Sequence, residues 1–219
     1  MIASHWKGTM LTAETPGTAF AFLPQRQRRD GMASSLPEAA AAELQLRNTF
    51  VASDVQMSDL HALSRRVLQL AGEKDLSLIT AESCTAGKLS ALLSEAPGAA
   101  DRLHGSFVVY TKENKTLALG VPARLLAEQG AVCRDVAAAM AEGALARSPA
   151  DVAVSITGVA GPDPDADGNP VGRVCIGLAR RDGMVQQFEY SYGSPGREAV
   201  QERAMADALN LLITMIEAA

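Results

Sequence analysis

Small and hydroxyl-bearing residues follow a short apolar segment at TAESCTAG (80–87). The apolar segment that ends at Glu82 is typical of a strand, and a helical pattern begins after it, so Ser83 lies in the connecting turn. At the carboxyl edge of an open α/β sheet such turns collect ligands, and free N–H groups at a helix N-terminus hold an anion or a developing oxyanion. Ser83 is therefore a candidate nucleophile. The structural alternative is that a serine or threonine before a helix is only its cap.

A serine hydroxyl becomes a useful nucleophile only when a base removes its proton. The three histidines are scattered along the chain, so a lysine is the natural candidate base. The segment YTKENK (110–115) places Lys115 on the first turn of a helix, directly after a strand that ends at Tyr110 and Thr111. The pKa of a free lysine is about 10.4, so Lys115 must be desolvated to act near neutral pH. Tyr110 could relay the proton or orient the lysine. The alternative is that Lys115 is a solvated charge on a helix surface.

Cys84, next to Ser83, is a second candidate nucleophile. No histidine lies near it in the sequence to activate the thiol, which favours a packing role. The chain has three cysteines, an odd number without a CxxC pair, which argues against a disulfide framework and a cysteine-built zinc site. We therefore expect neither a metal nor another cofactor.

A glycine-rich loop forms the third candidate segment, between SITGVAGP (155–162) and NPVGRV (169–174). Glycines let the backbone approach a ligand closely, and successive free N–H groups make a nest for a phosphate or carboxylate. The loop lacks the lysine of a P-loop and the spacing of a dinucleotide fingerprint. Its alternating Asp163, Asp165 and Asp167 lack the downstream glutamate of a calcium loop, so we interpret them as solvated.

The elements that must position these segments alternate between helix and strand, and then end in a hairpin around Arg181–Gly183. This order predicts an α/β fold, with a mixed β-sheet flanked by helices. The predicted helices lie near 58–70, 85–96, 113–119, 122–129, 134–147 and 195–216, and the predicted strands near 76–82, 106–111, 151–157, 171–180 and 185–192.

Residues 1–56 differ from the rest of the chain, because they lack a sustained periodicity and have little to bury. A short helix over 33–46 is the one pattern within them. We interpret the segment as an irregular, disordered tail or a mis-assigned start, since no continuous apolar region supports a secretory signal. Residues 57–219 are then one globular domain.

The composition restricts the partners. The 219 residues carry a net charge of −5, so no strong positive field draws the chain to nucleic acid. No apolar run reaches the ~18 residues of a membrane helix, and we expect a soluble, cytoplasmic protein. Hydrophobic residues make up 47% but aromatic ones only 4%, so the core must consist of alanine and aliphatic side chains. Alanine-rich helices permit a homodimer without requiring one.

Together these motifs resemble the C-terminal domain family of the competence/damage-inducible protein CinA, which also occurs alone as nicotinamide-nucleotide amidase (PncC). The likeness covers about residues 58–217. Five of the family's motifs occur in order, and the trailing Gly193, Arg197 and Arg203 resemble its GDRxxxRxxA segment. The five motifs are TAESCTAG (80–87), YTKENK (110–115), GAVC (130–133), TGVAGP (157–162) and NPVGRV (169–174).

The resemblance implies an amidohydrolase that converts nicotinamide mononucleotide, a small-molecule substrate, to nicotinic acid mononucleotide and ammonia. It implies Ser83 as the nucleophile, Lys115 as its base and Tyr110 as an assistant. N–H groups near 83–87 would stabilise the oxyanion. By their motifs or their charge, the expected substrate-binding residues are Thr85, Ala86, Gly87, Thr111, Gly158, Ala160, Gly161, Arg197 and Arg203.

The sequence departs from the family's pattern at four places. Ala86 replaces a glycine and can crowd the substrate, and Thr111-Lys112 replaces a Ser-Asn pair. Cys133 replaces a serine, and Arg173 replaces a threonine beside the expected pocket. These departures leave two alternatives open: a hydrolase of the same class acting on another small amide, and a non-catalytic nucleotide-binding module.

Overall fold

The computed structural model describes residues 56–219. The tail and the helix over 33–46 that the sequence predicts lie outside these residues. The described part contains seven helices and five strands. The helices are α1 (Met57–Glu73), α2 (Lys88–Ser94), α3 (Ala99–Arg102), α4 (Lys112–Leu119), α5 (Ala123–Gln129), α6 (Arg134–Ala146) and α7 (Arg197–Glu217). The strands are β1 (Leu78–Glu82), β2 (Leu103–Val108), β3 (Val152–Gly158), β4 (Arg173–Arg180) and β5 (Val185–Ser191).

The five strands form one mixed sheet in the order β2-β1-β3-β4-β5. Strand β1 pairs in parallel with β2 and with β3, whereas β4 pairs antiparallel with β3 and β5. The sequence order predicts this mixture, because helical crossovers join the first three strands and a tight turn joins the last two. The mixed sheet flanked by helices is confirmed.

Helices cover both faces of the sheet, and alternate side chains of the central strands enter different cores. In β3, Val152 and Val154 pack with α1, α2 and α7, whereas Ala153 packs with α4, α5 and α6. The second face carries small residues, and a Cβ on Gly177 would lie 2.3 Å from the Ala137 carbonyl oxygen of α6. This close approach explains why the alanine-rich helix packs there.

Two boundaries differ from the sequence prediction near the first two candidate segments. Helix α2 begins at Lys88 rather than near Thr85, which leaves a longer turn after β1. Strand β2 ends at Val108, so Tyr110 and Thr111 belong to the connection rather than to the strand. Both connections leave the carboxyl ends of parallel strands, where ligands collect in open α/β sheets.

Candidate active site

The structure brings Ser83 and Lys115 together at the carboxyl edge of the sheet. Ser83 directly follows β1, and Lys115 lies on α4, which follows β2. The distance between Lys115 Nζ and Ser83 Oγ is 2.8 Å, a hydrogen-bond distance. The pair lies in the protein interior, because Lys115 is fully buried and Ser83 is only 6% exposed. The alternative of a solvated surface lysine is therefore wrong for Lys115.

Main-chain carbonyls fix the direction of the lysine. Lys115 Nζ donates to the Val109 carbonyl at 3.0 Å and to the Tyr110 carbonyl at 3.5 Å. When the amine is neutral, these two acceptors take its two hydrogens, so its lone pair faces Ser83 Oγ. Burial lowers the pKa of Lys115 from 10.5 to about 8. A buried amine whose pKa lies near neutrality is suited to act as a general base.

Tyr110 contacts the lysine through its main chain. Its side chain is 62% exposed and lines the cavity, and among the described residues its hydroxyl has no hydrogen bond to Lys115 or Ser83. The structure thus supports orientation of Lys115 by the Tyr110 carbonyl. The proton relay through the phenol stays a prediction.

Glu82 organises the turn that carries Ser83, the candidate nucleophile, although its position in the sequence indicates only the end of a strand. Its fully buried carboxylate accepts hydrogen bonds from the N–H groups of Gly87, Leu89 and Ser90, at 2.8 to 3.1 Å, and from the Thr80 hydroxyl. An internal anion thus occupies the N-terminus of α2. The idea that this helix end is free for a substrate anion is wrong, and the N-cap of α2 is Gly87 rather than a serine or threonine.

Most N–H groups of the turn after β1 already have acceptors, so few of them can donate to an oxyanion. In the turn after β1, the Ser83 N–H donates to the Ile156 carbonyl, and the Ala86 N–H donates to the Ser83 carbonyl. The N–H groups of Gly87 and Lys88 also have acceptors within the protein. The N–H groups of Cys84 and Thr85 donate to no other residue among those described. Of these two residues, only Cys84 lines the cavity, and it directly follows the candidate nucleophile, so its N–H is the candidate oxyanion donor.

Cys84 is a poor alternative nucleophile. Its side chain is only 5% exposed, and burial raises the pKa of its thiol to about 12. The thiol stays protonated near neutral pH, whereas thiolate is the reactive form. The main chain of Cys84 is more informative, because its carbonyl accepts a 2.6 Å hydrogen bond from the amide of Gln201.

A cavity of about 240 Å³ opens beside the Ser83–Lys115 pair. Seven of the twelve site residues predicted from the sequence line this cavity. Arg197, at the start of α7, borders the cavity and donates to the Gly161 carbonyl, so the arginine also holds the glycine loop. The seven residues are Ser83, Tyr110, Lys115, Gly158, Ala160, Gly161 and Arg197. The cavity also contacts Cys84, Ala131, Val132, Thr157, Val159, Asp163 and Asp165.

The other five assigned residues do not line the cavity, and their substrate contacts stay predictions. Thr85 is fully buried, and its hydroxyl has no hydrogen-bond partner among the described residues. Gly87 is the N-cap of α2, and Thr111 caps α4 by accepting from the Asn114 N–H. Ala86 is exposed with φ +53°, a left-handed conformation that favours glycine. The Ala86 methyl group therefore strains the turn rather than crowding the cavity.

Arg203, the last of the five, donates to the Tyr192 carbonyl at 3.3 Å. In the spacing of GDRxxxRxxA, the second arginine comes four residues after the first, which here is Arg197. That position is Gln201 rather than Arg203. The spacing of the motif is the signal that could have drawn attention to Gln201.

Two of the residues that depart from the family pattern, Lys112 and Arg173, form ion pairs. Lys112 forms a 2.5 Å ion pair with Asp167, whose other oxygen accepts from the Ala131 N–H, so this carboxylate joins α4 to the glycine loop. Arg173 pairs with Glu189 at 3.1 Å and does not line the cavity. Asp167 is thus an anchored residue rather than merely a solvated one.

The remaining residues to place are the two other loop carboxylates and Cys133. Asp165 accepts from the main chain and side-chain amide of Asn169, at 2.8 and 2.7 Å, which shapes the loop from within. Asp163 is exposed at the cavity. Cys133 is buried at the start of α6 and also lies outside the cavity lining.

Within residues 56–219, we find no cluster of three or more His, Cys, Asp or Glu side chains that could bind a metal ion. In the same part of the chain, none of the helices has the length and apolarity needed to cross a membrane.

The fold and site define an α/β protein with a buried serine–lysine pair at the carboxyl edge of a mixed sheet. A family model of the CinA C-terminal domain matches residues 60–216. The chain belongs to this family.

The chain is similar to CinA-like proteins of two bacteria. It is 47% identical over 137 residues to a CinA-like protein of Mycobacterium sp. (strain JLS), covering 62% of this chain and 32% of that protein. It is 42% identical over 154 residues to a CinA-like protein of Synechococcus sp. (strain CC9902), covering 70% of this chain and 37% of that protein. The chain thus spans about a third of the length of these relatives.

Solved structures share the fold over nearly their whole length. The chain is 39% identical to the competence/damage inducible protein CihA from Agrobacterium tumefaciens, with a TM-score of 0.69, covering 72% of this chain and 95% of that one. It is 33% identical to a CinA superfamily protein from Escherichia coli, with a TM-score of 0.70, covering 77% of this chain and 96% of that one.

Proposed function

We propose that this chain is an amidohydrolase that converts nicotinamide mononucleotide to nicotinic acid mononucleotide and ammonia. The observation that carries the catalytic part of the proposal is the 2.8 Å contact between Ser83 Oγ and a fully buried Lys115. Membership of the CinA C-terminal domain family and the resemblance to nicotinamide-nucleotide amidases support the substrate. The cavity beside the pair is where the carboxamide would bind.

The proposed reaction begins with neutral Lys115 taking the hydroxyl proton of Ser83. Ser83 Oγ then attacks the carboxamide carbon, and the Cys84 N–H donates to the resulting oxyanion. The C–N bond breaks as the Lys115 ammonium returns its proton to the leaving nitrogen, which departs as ammonia. An acyl-enzyme on Ser83 remains. Lys115 then deprotonates a water that attacks the acyl carbon, and the bond from that carbon to Ser83 Oγ breaks as the Lys115 ammonium returns the proton to Ser83 Oγ.

The nucleotide phosphate would bind near Arg197 and the glycine loop, which line the same cavity. Arg197 supplies a positive charge there, and the N–H groups of Ala160 and Gly161 have no acceptors among the described residues. A guanidinium beside free main-chain N–H groups is suited to hold a phosphate.

The test measures ammonia and nicotinic acid mononucleotide after incubation with nicotinamide mononucleotide. Wild type should release both in equal amounts, and Ser83→Ala and Lys115→Ala should reduce the rate by at least about a thousandfold. Ser94→Ala, an exposed serine at the end of α2, is the matched control and should retain full activity.

The outcomes separate the competing functions. If wild type instead hydrolyses other carboxamides but not nicotinamide mononucleotide, and Ser83→Ala loses that activity, the proposed substrate is wrong and the proposed chemistry stands. Stoichiometric binding of the mononucleotide without turnover by wild type would favour a non-catalytic nucleotide-binding module and overturn the proposal.

A further inference from the structure

A buried glutamine contacts the main chain next to the nucleophile from outside the cavity. Gln201 lies on α7 and is only 5% exposed. Its Nε2 donates to the Cys84 carbonyl at 2.6 Å, and its Oε1 accepts from Lys88 Nζ at 2.7 Å. These contacts join α7, the nucleophile turn and the first residue of α2.

The chemistry of the two partners determines which way the amide points. A lysine ammonium only donates hydrogen bonds, and a main-chain carbonyl only accepts them. The opposite orientation of the Gln201 amide would place its NH₂ against the ammonium and its oxygen against the carbonyl. Lys88 therefore directs the NH₂ group of Gln201 towards Cys84.

The carbonyl that Gln201 holds belongs to the residue after Ser83. The peptide N–H of that same residue, Cys84, is the candidate oxyanion donor. Glu82 fixes the far end of the turn through the N-terminus of α2, but it makes no hydrogen bond to Cys84 among the described residues. Gln201 holds the start of the turn, next to Ser83, through its hydrogen bond to the Cys84 carbonyl.

We propose that Gln201 is a positioning residue, which holds the Cys84 main chain so that Ser83 Oγ and the Cys84 N–H face the reacting carbonyl together, with Lys88 orienting its amide. This inference deepens the proposed function and rests on it for the substrate. It does not rest on it for the reactivity of Ser83.

Gln201→Glu is the decisive substitution, because it keeps the shape and the contact with Lys88 but replaces the donor with a carboxylate oxygen. The reactivity of Ser83 is measured with a fluorophosphonate. Ser83 Oγ bonds to phosphorus, the P–F bond breaks, fluoride leaves and the hydroxyl proton passes to Lys115. This rate and kcat should both fall about tenfold, the scale of one lost hydrogen bond, whereas KM should change less than twofold.

Two further variants isolate the cause. Lys88→Met frees the amide to rotate, and it should lower both rates by about two- to threefold. Asn210→Asp adds a negative charge on the exposed part of the same helix, and its rates should equal those of wild type. The thermal midpoint of each variant is measured alongside.

If folded Gln201→Glu reacts with the fluorophosphonate at the wild-type rate, the proposal is overturned. A rise in KM that matches the fall in kcat/KM, with phosphonylation unchanged, would overturn it too, since Gln201 would then act on binding alone. If wild type releases no ammonia from nicotinamide mononucleotide but phosphonylation of Ser83 still depends on Gln201, the proposed substrate fails and the positioning role stands.

Discussion

Burial of Lys115 should place the acidic limb of the pH–rate profile near pH 8. Removing the amine from water lowers its pKa from 10.5 to about 8. At pH 7, about one lysine in ten is then neutral, compared with about one in 3,000 for an amine of ordinary pKa. Burial therefore increases the amount of usable base about 300-fold at this pH.

The assay is ammonia release from nicotinamide mononucleotide between pH 6 and 10, analysed as kcat/KM, which reports the free enzyme. The rate should rise about tenfold per pH unit at low pH and level off above about pH 8. Lys115→Arg keeps a positive charge that does not ionise in this range, and it should be inactive throughout. A rate that continues to rise to pH 10, or one that is independent of pH from 6 to 9, would refute this reasoning.

The same pKa affects stability. Between about pH 8 and 10.5 the unfolded chain holds a proton on Lys115 that the folded chain has released, so the free energy of unfolding should rise with pH across this window. The contribution is about 3 kcal/mol in total. Urea unfolding at a series of pH values measures it, and Lys115→Met should lose this rise. A Lys115→Met variant with the same slope as wild type would contradict the assignment.

Three further predictions concern stability. Glu82→Gln should lower the free energy of unfolding by about 3 kcal/mol, because an amide NH₂ then faces the N–H groups at the start of α2. Ala86→Gly should raise it by about 0.5 kcal/mol, since glycine adopts the positive φ without strain. Burial raises the pKa of Asp207 to about 6, against a donated hydrogen bond from Tyr192 that lowers it. Asp207 therefore stabilises the fold fully below about pH 4, and that stability should be lost as the pH rises through 6, whereas Asp207→Asn should lack this loss.

Chemical denaturation with matched controls tests all three. Glu95→Gln removes an exposed carboxylate near the end of α2, and it should change stability by less than about 0.5 kcal/mol. Ala91→Gly, inside α2, should lower stability by about 1 kcal/mol, the opposite sign to Ala86→Gly. The respective explanations fail if Glu82→Gln matches its control, if Ala86→Gly is destabilising, or if Asp207→Asn keeps the wild-type slope between pH 4 and 6.

The sequence allowed prediction of the sheet and of Ser83 and Lys115 as a candidate pair, but not of the residues that hold them. The strands were predictable because short apolar runs between helical patterns have few other solutions. Glu82 looked like the last residue of a strand, and nothing in its neighbourhood indicates that its carboxylate turns back to the N–H groups up to eight residues later. That role depends on α2 starting at Lys88, three residues after the predicted start.

Gln201 was missed for a different reason. The spacing of the GDRxxxRxxA segment marks its position, but it lies 117 residues from Cys84 in the chain, and no local pattern shows that its side chain contacts that residue. In the same region, Arg203 donates to the Tyr192 carbonyl and does not line the cavity, and its substrate contact stays a prediction. Both residues needed the docking of α7 against the sheet before their contacts could be known.

The order of helices and strands, and the residue types at each strand end, were determined by the sequence itself, because periodicity and turn chemistry are local properties of the chain. Tertiary structure alone decided that Lys115 is fully buried against Ser83, 32 residues away, and that its pKa falls towards neutrality. Desolvation is the physical reason: the pKa of an amine depends on how much water the whole fold removes from it, and no local segment of the sequence contains that quantity.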